Sequence, residues 1–290
     1  MGYHQELTAY AKGFYVISHE RSGTHFLMNC IQLNSSIDFK CLSVGEWFGP
    51  FDQPQTQFEH IYKRFSELNP QQHYILKTHC DRDLYNAKYP KGKIVYIFRD
   101  YRDVLVSYYY FLRDEYIASG RRRNQKISSL WFSRLEEFIR RPLPDFLQLN
   151  YSLYGDFSFP IERWLNHVVQ WIDNPPEHMQ IVTYNQLYYH PEETTQKLLK
   201  FLELPSKAVF TRPTFENSLS VMPRKGIVGD WKNHFSTKDA VFLDTAVSEY
   251  LPLIDRFPWN LEGRSSGEGN TLERSGRLNV YRHPAALRDC

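Results

Sequence analysis

Residues 13–31 read GFYVISHERSGTHFLMNCI, and the way this stretch folds decides the class of the whole chain. Phe14–Ile17 is an apolar run long enough for a buried strand. Ser22-Gly23-Thr24 interrupts it with small polar residues, and Phe26, Leu27 and Ile31 then fall on a helical pattern over Thr24–Leu33. Strand, small loop and helix make a cradle for an anion. The first helical turn leaves backbone N–H groups unpaired and carries the positive end of the helix dipole. The nucleotide pattern G-x-x-x-x-G-K-[ST] is not met, because Ser18 stands where it needs Gly and Thr24 where it needs Lys. The positive charge, Arg21, comes before the Gly. An ordinary strand-to-helix turn with a Ser or Thr cap fits these residues equally well.

The same alternation continues outward. HYILKTH, ending at His79, and KIVYIFRD, Lys93–Asp100, read as buried strands, the second without polar alternation, as inside a parallel sheet. A long helix starts after Asp100, with Asp100 and Asp103 as a capping pair. Phe58–Leu68 and the stretch from Ile161 to Ile172 carry helical spacing, residues 179–187 read as a short strand, and Pro191 opens another helix. Pro205–Asp230 reads as a long ordered loop and Ser236–Tyr250 as a last helix. The predicted fold is therefore α/β, a single domain over residues 1–260 with a central, mainly parallel sheet flanked by helices, and a poorly ordered tail over 261–290.

Composition narrows the function. The chain has 290 residues, 42% of them hydrophobic, enough for a sizeable core. A formal net charge of +2 argues against a general nucleic-acid binder, which needs many phosphate contacts. Cys30, Cys41, Cys80 and Cys290 form no C-x-x-C pair and read as reduced thiols. There is no apolar signal core and no run approaching a membrane span, so a soluble, cytoplasmic protein is expected.

Ligands of such sheets bind at the carboxyl ends of the strands. Three polar clusters fall there: Arg21–Thr24, Lys77–His79 and Arg99–Ser107. Lys77 suits an electrostatic clamp and His79 a base, although two solvated residues at a strand end would look the same. Arg99 and Ser107 could hold one phosphate by charge and hydroxyl, or Arg99 could pair with Asp100 or Asp103. PRKGIVGDWKNHF, Pro223–Phe235, adds Arg224, Lys225 and Gly226 as a compact anion-binding loop.

Together these segments resemble the sulfotransferases that use 3′-phosphoadenosine 5′-phosphosulfate (PAPS), the soluble cytosolic type in particular. ERSGTHF stands for that family's P-K-S-G-T-T-W loop, KTHCD for K-T-H-L-P, and RDYRDVLVSYY for R-N-P-K-D-x-x-V-S-x-Y. Trp164–Trp171 matches W-x-x-H-V-x-x-W, and Arg224–Phe235 matches R-K-G-x-x-G-D-W-K-N-x-F at every fixed position. The resemblance implies a P-loop-like phosphosulfate-binding loop of Arg21, Ser22, Gly23, Thr24 and His25. It implies adenine contacts from Phe26, Tyr184 and Phe215, and 3′-phosphate contacts from Arg99, Ser107, Arg224, Lys225 and Gly226. Lys77, His79 and Arg21 would be catalytic, with adenosine 3′,5′-bisphosphate (PAP) as product, no metal, and a small-molecule acceptor bearing a hydroxyl or an amine. The loop Lys of the family is Arg21 here, and its Leu-Pro after the His is Cys80-Asp81. The family's dimer segment K-x-x-x-T-V-x-x-x-E is not reproduced after Lys232, so a homodimer is open. RRRNQK, 121–126, leaves a glycan sulfotransferase as the alternative. A P-loop kinase-type phosphotransferase and a non-catalytic nucleotide-binding protein are the readings from other classes.

Overall fold

The computed structural model describes residues 6–44, 63–113, 134–143, 159–214 and 225–259. Five strands form one sheet: β1 (Lys12–Ile17), β2 (Phe39–Ser43), β3 (His73–Thr78), β4 (Ile94–Phe98) and β5 (Met179–Thr183). They lie in the order β2-β3-β1-β4-β5, and every pairing is parallel.

Successive side chains of a strand face opposite sides of the sheet. Tyr15, Ile17, Tyr74, Leu76, Tyr96 and Phe98 therefore join one apolar cluster, and Phe14, Val16, Ile75, Val95 and Ile97 a second. Both faces are covered, which explains runs of apolar residues without alternation. Helix α1 (Thr24–Asn34) covers the second cluster. Helices α2 (Arg82–Lys88), α3 (Tyr101–Tyr110) and α4 (Pro160–Ile172) contribute to the first. Helices α5 (Tyr184–Tyr189) and α6 (Pro191–Leu202) pack with α1, and α7 (Thr237–Val247) with α4.

Helix α4 shows the energetics most clearly. Trp164 and Trp171 are seven residues apart, so both face the core, and each is fully buried. Truncating either to Ala would cost roughly 3–5 kcal/mol. The Trp171 indole also donates to the Cys80 carbonyl at 3.2 Å, which ties this helix to the loop after β3.

The structure corrects the sequence reading in five places. Residues 179–187 are not one strand: β5 ends at Thr183, which forms a capping box with Gln186 and turns Tyr184 into the first residue of α5. Strand β2 and helix α2 were not foreseen. Asp100 caps α3 by accepting from the Arg102 amide, but Asp103 is turned away toward a distant loop. The predicted last helix is α7 followed by a 3-10 turn, Ser248–Tyr250. Of the expected loop, residues 205–214 and 225–229 carry no helix or strand. Of Phe58–Leu68, residues 63–66 are helical. Phe215, Arg224, RRRNQK and the tail 261–290 lie outside the described residues.

Candidate functional site

Because all strands are parallel, the loops after β1, β3, β4 and β5 leave from the same edge of the sheet. The chain fills one side of β1 before crossing to β4, so the reversal of strand order sits beside β1, where ligands of such sheets bind.

The β1 loop leaves donors open at the start of α1. Gly23 caps α1 with φ 95°, and no side chain caps that helix end. A Cβ on Gly23 would stand 2.3 Å from the Tyr184 ring, so the position needs Gly for both conformation and space. The Ser22 hydroxyl is buried and has no hydrogen-bond partner among the described residues. Arg21 adopts φ 65°, a conformation that costs a side-chain-bearing residue about 1–2 kcal/mol. That backbone accompanies a side chain whose Nε donates to Ser107 Oγ at 3.2 Å and whose guanidinium lies 4.9 Å from the Phe111 ring centre. Arg21 and Ser107 are thus brought together, although the sequence assigned them to different phosphates.

The end of β3 supplies Lys77 and His79, both buried. His79 Nδ1 lies 2.7 Å from the Ser18 carbonyl, which can only accept, so the neutral ring carries its proton on Nδ1 and its lone pair on Nε2. Ser18 Oγ in turn is 2.6 Å from Thr24 Oγ1, joining His79 to the loop after β1. Burial, and after it the charge of Lys77, holds His79 well below the ordinary 6.5, so the ring is neutral at pH 7.

The third part lies after β4. Arg99 donates to Asp103 at 3.1 Å and to the Ile227 carbonyl, and its guanidinium stands 4.4 Å from the Tyr184 ring centre. Its buried Nε has no hydrogen-bond partner among the described residues. Asp103 also accepts from the Gly229 and Trp231 amides at 2.9 and 3.0 Å. One buried carboxylate therefore fastens the Lys225–Trp231 loop to α3. Lys225 reaches Asp230 at 3.4 Å, and Tyr184 donates to the Gly226 carbonyl at 2.8 Å. Phe26 packs against Tyr184, with ring centres 5.9 Å apart. Ser22 Oγ at the uncapped start of α1 and Arg99 Nε after β4, each without a hydrogen-bond partner among the described residues, are donors of the kind that phosphate or sulfate oxygens accept from.

Two features escaped the sequence reading. Asp103 is a loop anchor rather than a cap, and nothing local signals that. Behind His79 lies a buried cluster of His19, Glu20, Arg163 and His167. Arg163 pairs with Glu20 and donates to Tyr108 Oη at 3.1 Å, while Tyr96 Oη meets His167 Nδ1 at 3.0 Å. Burial pushes His19 and His167 down to about 3, helped by Arg163 at the first and by His19 at the second. Among the described residues no group of three or more His, Cys, Asp or Glu could hold a metal ion, and no helix is long and apolar enough to cross a membrane.

A family model described as a sulfotransferase domain matches residues 12–254. Sulfotransferase 2B1 of Mus musculus is 25% identical over 286 residues, covering 88% of this chain and 76% of the relative. The 3-beta-hydroxysteroid sulfotransferase of Cavia porcellus is 25% identical over 283 residues, covering 84% and 85%. The crystal structure of mouse sulfotransferase SULT7A1 complexed with PAP superposes with a TM-score of 0.54 at 20% identity, covering 84% of this chain and 87% of that one, and shares its fold.

Proposed function

The chain belongs to the sulfotransferase family, and from that premise we propose that it moves a sulfuryl group from PAPS to a hydroxyl or amine of a small-molecule acceptor. The observation that carries the reading is the junction of base and anion loop: His79 donates to the Ser18 carbonyl, Ser18 meets Thr24, and Arg21 meets Ser107. When bound, PAPS supplies an activated sulfuryl group with PAP as its leaving group. His79 Nε2 takes the acceptor's proton as the acceptor attacks. Lys77 and Arg21 place positive charge where negative charge develops, the largest catalytic contribution in most such sites. Gly23 and the α1 amides, with Ser22, Thr24 and His25, hold the 5′ end. Arg99, Ser107, Lys225 and Gly226, joined by Arg224, hold the 3′-phosphate, and Phe26, Tyr184 and Phe215 border the adenine. That the mouse structure was solved with PAP, and that one relative is named for a hydroxysteroid, support a nucleotide site and an apolar alcohol acceptor. The reading requires no metal and places the protein in the cytoplasm.

Competition binding tests the donor. PAP should displace a fluorescent PAP analogue at concentrations at least a hundredfold below ATP, without Mg²⁺. Equal or better displacement by Mg-ATP would turn the assignment toward a phosphotransferase. Mass spectrometry of acceptor panels, read for addition of one sulfuryl group, identifies the acceptor class.

A further inference from the structure

Helix α3 carries Asp103, Ser107 and Tyr110 at helical spacing, which places the three side chains on one face. At the start of that face Asp103 holds the Gly229 and Trp231 amides. One turn on, Ser107 meets Arg21. At the end of the helix Tyr110 makes a second contact with the segment that Asp103 fastens. Its hydroxyl lies 3.2 Å from His234 Nδ1, and the two ring centres are 5.3 Å apart.

The hydrogen bonds run on from His234 into the loop. His234 Nε2 is 3.2 Å from Asp230 Oδ2. A carboxylate oxygen only accepts, so Nε2 carries a proton. In the neutral ring Nδ1 then accepts from the Tyr110 hydroxyl. Asp230 is almost fully buried, and its Oδ1 accepts from Asn233 Nδ2 at 3.2 Å and from Lys225 Nζ at 3.4 Å. A path of side-chain hydrogen bonds thus leads from the end of α3 through His234 and Asp230 to the Lys225 ammonium.

The Lys225 side chain is about half exposed. A long side chain in that setting loses much rotamer freedom when it settles on an anion. Asp230 removes part of that loss in advance, because it holds the ammonium on a loop already tied to α3. The ammonium has three protons, so a bond to Asp230 leaves two for phosphate oxygens. The Asp230 carboxylate keeps its direction because His234 occupies the second oxygen. His234 keeps its own direction because Tyr110 occupies the far nitrogen. We propose that Tyr110 and His234 are positioning residues, which orient Asp230 so that it presents Lys225 to the 3′-phosphate of the bound nucleotide, a role that rests on reading Lys225 as a contact of that phosphate. One face of α3 then acts on the loop at both ends, through Asp103 on its backbone and through Tyr110 on its lysine.

Calorimetric titration of the folded protein with PAP and with adenosine 5′-monophosphate, which lacks the 3′-phosphate, tests this. Wild type should bind PAP more tightly. His234→Ala should weaken PAP by about two- to tenfold, the worth of one hydrogen bond, and leave the monophosphate nearly unchanged. His234→Gln, whose amide nitrogen can still reach Asp230, should recover most of the loss. Tyr110→Phe, which keeps the ring and removes only the hydroxyl, should give a smaller loss confined to PAP, and it carries the same comparison should His234→Ala not fold. Beside Lys225→Met, adding His234→Ala should weaken PAP no further, because the group through which it acts is gone. An equal loss for both nucleotides in either variant would show a purely structural role and overturn the proposal. Undiminished PAP affinity in either variant would overturn it too, as would a loss that persists in full beside Lys225→Met. A wild type that binds the two nucleotides equally would defeat the donor reading and the positioning with it. A wild type that prefers PAP, with variants that keep the whole preference, would defeat the positioning alone.

Discussion

Around His79 the buried groups are neutral histidines and one ion pair, with polar atoms of His19, Glu20 and His167 lacking hydrogen-bond partners among the described residues. Around Asp103 both carboxylate oxygens are engaged, by Arg99 and by two backbone amides of a loop more than a hundred residues further along the chain. The first region has its proton affinities set by burial and by charges held nearby. The second has its geometry fixed by charged hydrogen bonds. In the proposed reading one region does the proton chemistry and the other holds the nucleotide, so perturbing them should separate rate from affinity.

The largest expected effect in the second region is Asp103→Ala, which leaves the buried Arg99 charge uncompensated and releases the loop. Unfolding free energy should fall by about 3–5 kcal/mol and PAP affinity should fall with it, as measured by denaturant unfolding and calorimetric titration. Unchanged PAP affinity would break the comparison. Gly23→Ala comes next, because it places a side chain at φ 95° against Tyr184. A cost of about 1–3 kcal/mol should be divided between melting temperature and PAP binding.

A pH titration of stability probes the first region. His19 and His167 have folded values near 3 against an ordinary 6.5, so the unfolded chain binds protons first as pH falls. The stability they contribute is full above pH 6.5 and is lost as pH drops toward 3. Between those limits each contributes a slope of about 1.4 kcal/mol per pH unit. Replacing His167 with Gln should flatten the curve, and an unchanged slope would show that the ring is not held neutral. The acid limb of kcat/KM should also lie below pH 6.5, since His79 is depressed. Smallest is Arg21→Lys, which keeps the charge but loses the Nε donor to Ser107 and the contact with Phe111. Its kcat should change by roughly tenfold or less, with stability nearly unaltered.

The order of these effects follows what the sequence could and could not convey. Strands β1, β3 and β4 were legible because both sheet faces are covered, which forces unbroken apolar runs. Strand β2 was not: only Phe39 of its five residues is buried, so FKCLS carries no such run. The turn at Thr183 was signalled by Gln186 three residues on, yet the apolar run hid it. Arg21, Lys77, His79 and Arg99 were legible as polar residues at strand ends, and Ser107 as a residue of the helix after β4. The pairing of Asp103 with Arg99 was one of the sequence readings, but its role as a loop anchor was missed because Gly229 and Trp231 lie in a segment that only tertiary structure brings near. Glu20 was passed over because its meaning depends on Arg163, far along the chain on another helix.

The central claim is that His79 is the base for sulfuryl transfer, and single-turnover transfer of label from radiolabelled PAPS by wild type and His79→Ala tests it most directly, with PAP affinity measured on both proteins. The account expects a loss of roughly 10²–10⁴-fold in rate with PAP binding within a few fold of wild type. Undiminished transfer by His79→Ala would contradict it.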